Sequence, residues 1–130
     1  MTREQLEQYK SKKEEIRELE HRLRHLGEGD SMIGYSTIMD YRTGYPQPQT
    51  VIGIDWKRYN NAKVRYNHRL QNLHEECEEV EQYVESISDS MTRRIFRMYY
   101  IEGISQDNVA KAVGYSRGRV SQKISDFLKD

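Results

Sequence analysis

The sequence predicts an all-α protein in which a long antiparallel helical hairpin precedes a three-helix helix-turn-helix module. Two long segments carry apolar residues at seven-residue spacing, which is typical of helices that pack in coiled-coil fashion. A run rich in capping residues, 86–90, separates the two long segments from several shorter amphipathic segments. The last two short segments flank a glycine turn. We therefore expect two domains, a helical hairpin over 1–88 and a helix-turn-helix module over 89–130.

The first helix is predicted from about Thr2 to Leu26, a stretch without glycine or proline. Its narrow apolar seam consists of Tyr9, Ile16, Leu19, Leu23 and Leu26. Gly27 and Gly29 follow and are expected to end the helix, because glycine readily adopts the left-handed conformation found at helix C-termini.

Residues 27–53 are predicted to form a long loop, because the helical pattern stops and glycine, proline, serine and threonine become frequent. This loop also carries large apolar and aromatic residues: Met32, Ile33, Tyr35, Ile38, Met39, Tyr41 and Tyr45. Loops of this length are usually functional or mobile. We interpret the segment as a strap whose aromatic side chains lie against the helices, in preference to a ligand site.

The second helix is predicted from Trp56 to Glu85, with Asp55 as its N-cap and a length of about 45 Å. Its seam is the most regular in the chain and consists of Tyr59, Tyr66, Leu70, Leu73, Cys77, Val80, Val84 and Ile87. Such a helix needs a partner in water. The first helix, packed antiparallel, is the expected partner, and self-association into a homodimer through the same seam is the alternative.

Charge favours the antiparallel pairing. The first half of the second helix is basic, whereas its second half carries six glutamates between Glu75 and Glu85. An antiparallel arrangement brings the acidic half beside the basic residues of the first helix, which are Lys10, Lys12, Lys13 and Arg17. Exposed ion pairs contribute less than about 1 kcal/mol each, so we expect them to select the orientation more than to stabilise the fold.

The C-terminal segment predicts three short helices. The first carries Met91, Ile95, Met98 and Tyr99 and ends near 102–103, the second runs from Gln106 to Val113, and the third from Arg117 to Leu128. Ser105 and Ser116 are the expected N-caps, and Gly114 makes the turn between the last two helices. A small residue at Ala110, this glycine and an apolar Val120 indicate a helix-turn-helix.

The outer face of the helix 117–128 is expected to contact double-stranded DNA, because Val120, Ile124 and Phe127 define its buried direction. Arginine to guanine and glutamine to adenine are common major-groove contacts. A solvated surface helix is the alternative, and we favour DNA because this face lacks the glutamates of an ordinary exposed helix. The candidate DNA-binding residues are Arg93, Ser105, Lys111, Ser116, Arg117, Gly118, Arg119, Ser121, Gln122, Lys123 and Ser125.

The composition is balanced overall but not locally. The chain has 130 residues, of which 35% are hydrophobic and 32% charged, and its formal net charge is zero. Zero net charge argues against coating nucleic acid by bulk charge. However, residues 89–130 hold eight basic and five acidic residues, so the neutral total averages a basic module with an acidic stretch.

Several classes of function are excluded on sequence. Cys77 is the one cysteine and lies on a predicted seam, so we expect a core residue and neither a disulfide nor a reactive thiol. No Cys/His set has zinc-site spacing, and His21 with His25 lacks a third ligand. No phosphate-binding or dinucleotide motif is found, so we expect no enzyme, metal or cofactor. Without a signal-like or membrane-spanning stretch, a cytoplasmic location is expected.

The stretch from Arg94 to Leu128 resembles the fourth conserved region of bacterial primary sigma factors, which reads the upstream promoter element. The resemblance lies in 99–105, 109–116 and 117–122. In those factors this helix commonly opens Thr-Arg-Glu-Arg-Val-Arg-Gln. Here Arg117, Arg119, Val120 and Gln122 match by position, and Ser116 replaces the threonine cap.

Two residues depart from the sigma pattern. Gly118 stands where the sigma glutamate helps to select a base, and Ser121 stands where an arginine is usual. The resemblance therefore implies the fold, but not the standard promoter sequence. We hypothesise that Gly118 allows an unusually close approach of the backbone to DNA.

Over its whole length, the architecture resembles small phage late transcription regulators of the ArpU and RinA type. That resemblance implies a phage or prophage late-gene activator whose helical hairpin contacts another copy or RNA polymerase. Two alternatives stay open. One is a phage small terminase subunit, although that class usually places its DNA-binding module first, and the other is a protein-only adaptor for RNA polymerase or sigma factor.

Overall fold

The computed structural model describes residues 1–28, 33–40 and 47–129. The predicted helical class is confirmed by its helices, which are α1 (Arg3–Glu7), α2 (Tyr9–Arg24), α3 (Trp56–Glu85), α4 (Ser90–Phe96), α5 (Gln106–Val113) and α6 (Arg117–Leu128). A π-helical turn, Arg97–Ile101, extends α4. The predicted ends of α3, α5 and α6 agree with those observed.

The prediction of a loop over 27–53 is wrong for 33–40 and 47–53, where the structure describes two strands. Strands β1 (Ile33–Asp40) and β2 (Gln47–Ile54) pair antiparallel, from Ile33 opposite Ile54 to Asp40 opposite Gln47. The start of β1, 33–36, alternates apolar with small or polar residues, which is the period of a strand, whereas the rest of the two segments alternates only in part. The glycines and prolines concealed this pattern, yet proline is tolerated in a strand at a sheet edge, as at Pro48 opposite Met39.

Part of the strap hypothesis lies outside the described residues. Met32, Tyr41 and Tyr45 fall there, as does Gly29, the second of the two glycines expected to end the first helix. Gly27 is described and adopts a φ of 93°, in the left-handed region. It follows the last turn of α2, as predicted from its conformational freedom.

The chain divides into two compact units, one formed by Met1–Arg17 with Gln71–Asp130 and the other by Glu18–Leu70. This division does not coincide with the boundary predicted at 88/89. In the first unit, α1, the start of α2 up to Arg17 and α3 from Gln71 onward belong with the helix-turn-helix module.

Within the first unit, α2 and α3 pack antiparallel, as the hairpin prediction requires. Lys12 Nζ lies 3.0 Å from Glu76 Oε2, and Lys13 Nζ lies 3.4 Å from Glu81 Oε1. The Tyr9 hydroxyl donates a hydrogen bond to the same Glu81 carboxylate. Burial, followed by this hydrogen bond and the carboxylate charge, raises the pKa of Tyr9 far above its usual range.

The seam of α3 is buried as its spacing predicts. Leu73, Cys77, Val80, Val84 and Ile87 are all at most 5% exposed in the first unit. Burial raises the pKa of the Cys77 thiol, which agrees with a core residue and not with an activated nucleophile. In the second unit, Ala62 and Leu70 are buried on the same face of α3.

The predicted first helix is present with one interruption at Gln8, which separates α1 from α2. Thr2 caps α1 by accepting from Gln5 N, and the Gln5 side chain accepts from Thr2 N in return.

No helix among the described residues is long and apolar enough to cross a membrane.

Candidate nucleic-acid interface

The helix-turn-helix core is formed by α5 and α6 as predicted. Val109 and Val120 are fully buried, and Ala110 and Ile124 are at most 5% exposed. The small Ala110 lets the two helices approach, and Val120 fills the space between them. These buried contacts fix the rotation of α6 about its axis and hence which of its residues face outward.

The turn between α5 and α6 has the geometry predicted from its residues. Gly114 has a φ of 77°, and Tyr115 N donates to Ala110 O at 3.0 Å. The Ser116 hydroxyl then accepts from Arg119 N at 3.2 Å, and the Ser105 hydroxyl caps α5 by accepting from Asn108 N at 3.3 Å. Ser105 and Ser116, two of the four serines proposed for DNA binding, therefore also serve as helix caps.

An aromatic cluster supports the outer side of the module. Phe96 is fully buried, and its ring centroid lies 5.4 Å from that of Tyr100 and 5.1 Å from that of Phe127. Phe127, predicted to point inward, is only partly buried, at 39% exposure. It nevertheless holds the C-terminal half of α6 against α4.

The sequence pattern placed Met98 and Tyr99 in this core, whereas the structure buries Tyr100 and leaves those two half-buried. The π-helical turn explains the shift, because Glu102 N donates to Arg97 O, five residues back. A π turn is wider than an α turn and rotates the buried face. The four-residue spacing of Phe96 and Tyr100 is the signal that could have identified the pair.

The predicted reading face lies on the first half of α6 and is exposed. Arg117, Gly118, Arg119, Ser121 and Gln122 are all exposed to solvent. A Cβ placed on Gly118 would meet no atom within 4 Å, so its surface is open. Val120 and Ile124 fix the opposite side of the helix, so Gly118, Arg119, Ser121 and Gln122 form one preorganised polar surface, and Arg117 is exposed beside it in the first turn of α6.

Three side chains of this face have partners. The Arg119 guanidinium carbon lies 5.5 Å from the centroid of the Tyr115 ring. Arg117 Nε lies 3.7 Å from Asp107 Oδ1, and Gln122 Nε2 donates to Asp126 Oδ1 at 2.8 Å. Because these contacts are exposed and therefore weak, a ligand can displace the two carboxylates.

Three other candidate residues have structural contacts in the same unit. The Ser125 hydroxyl accepts from Arg3 Nη2 at 3.3 Å, and Arg93 Nη1 donates to the Ile87 carbonyl at 2.8 Å. Lys123 is half-buried, and its charge acts on Asp89. Lys111 is exposed on α5. The proposed contacts of these four residues with DNA stay predictions.

The N-terminus of α4 is capped by Asp89. Its carboxylate accepts from Thr92 Oγ1 at 2.6 Å and from Thr92 N at 3.0 Å. These hydrogen bonds, first the side-chain and then the backbone one, hold the pKa of Asp89 below its usual range. Thr92 also lines a shallow depression beside the reading face, together with Arg119, Gln122, Lys123, Asp126 and Phe127.

The N-terminal helices contribute to this unit in a way that sequence reasoning missed. Leu6 is fully buried, and Leu6 and Lys10 line one cavity with Tyr99, Tyr100 and Ile104. The Lys10 side chain lies within 3.8 Å of the position that a Cβ on Gly103 would occupy. The spacing of Leu6 and Tyr9 shows an apolar face, but nothing in it indicates which distant segment covers that face.

No three His, Cys, Asp or Glu side chains are arranged to hold a metal ion in the part of the chain that the structure describes. His21 and His25, considered as ligands, have ring centroids 4.4 Å apart, and His25 Nδ1 lies 2.9 Å from Glu28 Oε2. This geometry is that of neighbouring residues on one exposed helix end.

Comparison with known proteins supports the assignment of the module. Residues 89–129 match the family model for sigma-70, region 4. No curated protein and no solved structure matches the chain. The C-terminal module is a sigma region 4-like helix-turn-helix, a type that binds DNA and RNA polymerase and supports a general role in DNA-binding transcription regulation.

Proposed function

We propose that the chain is a sequence-specific transcription regulator that reads the major groove of double-stranded DNA with α6. The observation that carries the proposal is the exposed polar face of Gly118, Arg119, Ser121 and Gln122, held outward by a fully buried Val120, with Arg117 exposed in the first turn. An α-helix fits the major groove, and residues near its N-terminus make the base contacts in this class of module.

The residues of this face have different expected roles. Arg117 and Arg119 can each donate two hydrogen bonds to a guanine, and Gln122 can pair with an adenine. Gly118 leaves open space in which the backbone can approach a base pair closely. Because Gly118 and Ser121 replace the residues usual in sigma factors, we expect a target that differs from the standard promoter element.

We further propose that the chain is a phage or prophage late-gene regulator of the ArpU and RinA type. The support is the order of parts, with helices ahead of a C-terminal sigma region 4-like module. The expected outcome is activation of transcription when purified RNA polymerase is supplied with a template bearing the selected site. Repression of that template would contradict the activator role and leave DNA reading intact.

A protein-only adaptor for RNA polymerase or sigma factor is the second candidate. The observation that favours the adaptor is that two of the side chains proposed to read bases already contact carboxylates. Arg117 lies beside Asp107, and Gln122 donates a hydrogen bond to Asp126. In an adaptor these pairs would persist, whereas DNA binding must exchange them for base and phosphate contacts.

Selection of bound duplexes from a random pool tests the proposal directly. We expect enrichment of one motif by the native chain and its loss in the variant Arg119→Glu with Gln122→Ala, with helix content unchanged. The matched control is Arg24→Glu with Gln71→Ala, since Gln71 also hydrogen-bonds an acidic residue one turn later. The control should enrich the native motif.

The other outcomes are equally informative. Enrichment that persists in the Arg119 and Gln122 variant would refute the reading face. Absence of any enrichment, with retained binding to RNA polymerase, would favour the adaptor. A ring of many subunits by mass measurement would favour the small terminase.

A further inference from the structure

The first half of α3 is unusually rich in cations. Between Trp56 and His74 the sequence contains no Asp or Glu, whereas it contains five basic residues, all exposed: Lys57, Arg58, Lys63, Arg65 and Arg69. An ordinary solvated helix face mixes both signs of charge. The five basic residues belong to the second compact unit, whereas the helix-turn-helix module belongs to the first.

The positions of two of these cations oppose helix stability. The first turn of a helix favours Asp and Glu, because the backbone dipole is positive there. In α3 this turn carries Lys57 and Arg58 and no acidic residue. Asp55, which precedes the helix, uses its carboxylate to accept from Arg58 N at 3.2 Å. Residues that break a local stability rule without a structural gain indicate a binding role.

Five polar residues form one exposed face, which we call the basic face: Lys57, Arg58, Asn61, Arg65 and His68. They fall within an arc of about 100° and extend over about 16 Å of the helix. Outside this arc, α3 carries the buried Ala62 and Leu70. Among the described residues, no ion pair involves Lys57, Arg58 or Arg65, so their charge is directed to solvent.

We propose that the basic face is a second DNA-binding surface, which contacts the phosphate backbone of double-stranded DNA without reading its sequence. Lysine and arginine displace the counterions of the phosphates, and asparagine and histidine can donate hydrogen bonds to phosphate oxygens. A protein partner would require apolar area at the centre of the contact. The exposed apolar side chains Trp56 and Val64 lie at its edge, at 62% and 68% exposure, but none of the five residues that form the basic face is apolar, which favours DNA over an acidic protein surface.

The test is the salt dependence of binding to a 20-base-pair duplex of arbitrary sequence, measured by fluorescence anisotropy on the full chain. The variant Lys57→Gln with Arg58→Gln and Arg65→Gln removes three phosphate contacts. Its slope of log affinity against log salt should be shallower by about 2.7. Between 50 and 200 mM salt, the native affinity should therefore fall about 40-fold further than that of the variant.

A charge-matched control distinguishes an effect of the basic face on DNA binding from an effect of the protein's net charge. Arg17→Gln with Arg22→Gln and Arg24→Gln removes three exposed cations from α2, and its slope should stay near the native value. Equal changes in both variants, or an unchanged slope in the first, would overturn the proposal. Circular dichroism of both variants checks that the helices persist.

Two further arms distinguish the remaining explanations. The Arg119→Glu with Gln122→Ala variant should lose sequence preference but keep the slope contributed by the basic face, so failure of α6 reading and failure of this proposal are distinguishable. A change in oligomeric state without a change in slope would assign the basic face to a second copy, and a loss confined to RNA of equal length would assign it to RNA. Either result would overturn the proposal.

Discussion

Arg3, at the start of α1, donates a hydrogen bond from Nη2 to the hydroxyl of Ser125 on α6 at 3.3 Å, across 122 positions of sequence. The contact joins the first helix of the chain to the helix that carries the reading face. The N-terminal segment is therefore part of the DNA-binding module and helps to hold α6, although nothing in the local sequence of either residue indicates it.

Loss of the Arg3–Ser125 hydrogen bond should have a small effect. We expect Arg3→Ala and Ser125→Ala each to lower the free energy of unfolding by about 0.5–1 kcal/mol, because the bond is only partly buried. The double variant should cost little more than the larger single change, as measured by urea denaturation. Full additivity would show that the two side chains do not interact.

Truncation of Leu6 should have a much larger effect, because Leu6 is fully buried. We expect Leu6→Ala to lower the free energy of unfolding by about 2–5 kcal/mol. Ser11→Ala, at an exposed position of α2, is the control and should change it by less than about 0.5 kcal/mol. If Leu6→Ala were as mild as the control, α1 would not belong to the core of this unit.

Two glycines should respond to alanine in opposite directions. Gly118→Ala lies inside α6 in open space and should raise the free energy of unfolding by about 0.5–1 kcal/mol. Gly114→Ala should lower it by about 1–2 kcal/mol, because a φ of 77° is strained for alanine. If Gly118 allows close approach to DNA, the stabilised Gly118→Ala variant will nevertheless bind its selected site more weakly in a gel shift.

The Asp89 cap predicts a dependence of stability on pH. The folded-state pKa of Asp89 lies below its unfolded value, so the ionised carboxylate stabilises the folded state. This stabilisation is fully present above the unfolded pKa and is lost as pH falls through the folded pKa. We therefore expect the urea midpoint to decrease below about pH 4. In Asp89→Asn, which retains a capping side chain, the part of this decrease that arises from protonation of Asp89 should be absent. An identical pH profile would show that Asp89 does not contribute it.

Release of Gln122 should strengthen DNA binding. Asp126→Ala removes both the acceptor that holds Gln122 and a negative charge beside the reading face, so affinity should rise about fivefold. Glu79→Ala removes an equally exposed carboxylate of α3 and serves as the control, with little expected change. Weaker binding of Asp126→Ala would indicate that the Gln122–Asp126 pair is itself the conformation that reads DNA.

The parts of the fold that depend on local chemistry were predictable. The ends of α3, the serine caps of α5 and α6 and the left-handed Gly114 follow from the residues at those positions. The β-hairpin was missed because Gly34 and Pro48 are usually loop residues. In a two-stranded ribbon both strands are edges, where such residues cost little.

The candidate site was predictable only where one helix supplies it. Gly118, Arg119 and Gln122 share a face of α6 because helical periodicity places them opposite Val120, whereas Arg117 is exposed because it lies in the first turn of the helix. The contacts of Ser125 and Arg93, by contrast, depend on partners at Arg3 and Ile87. Spacing within a helix gives no information about such partners.

The helices, their caps, the turn and the polar face follow from the local sequence, because these features depend on interactions within a few residues. Packing between distant segments joins α1 and the acidic half of α3 to the helix-turn-helix module, and a π turn buries Tyr100 in place of Tyr99. The free energy gained by burying an apolar face depends little on which apolar surface covers it. The choice of partner is made by packing of the whole chain, which no local pattern encodes.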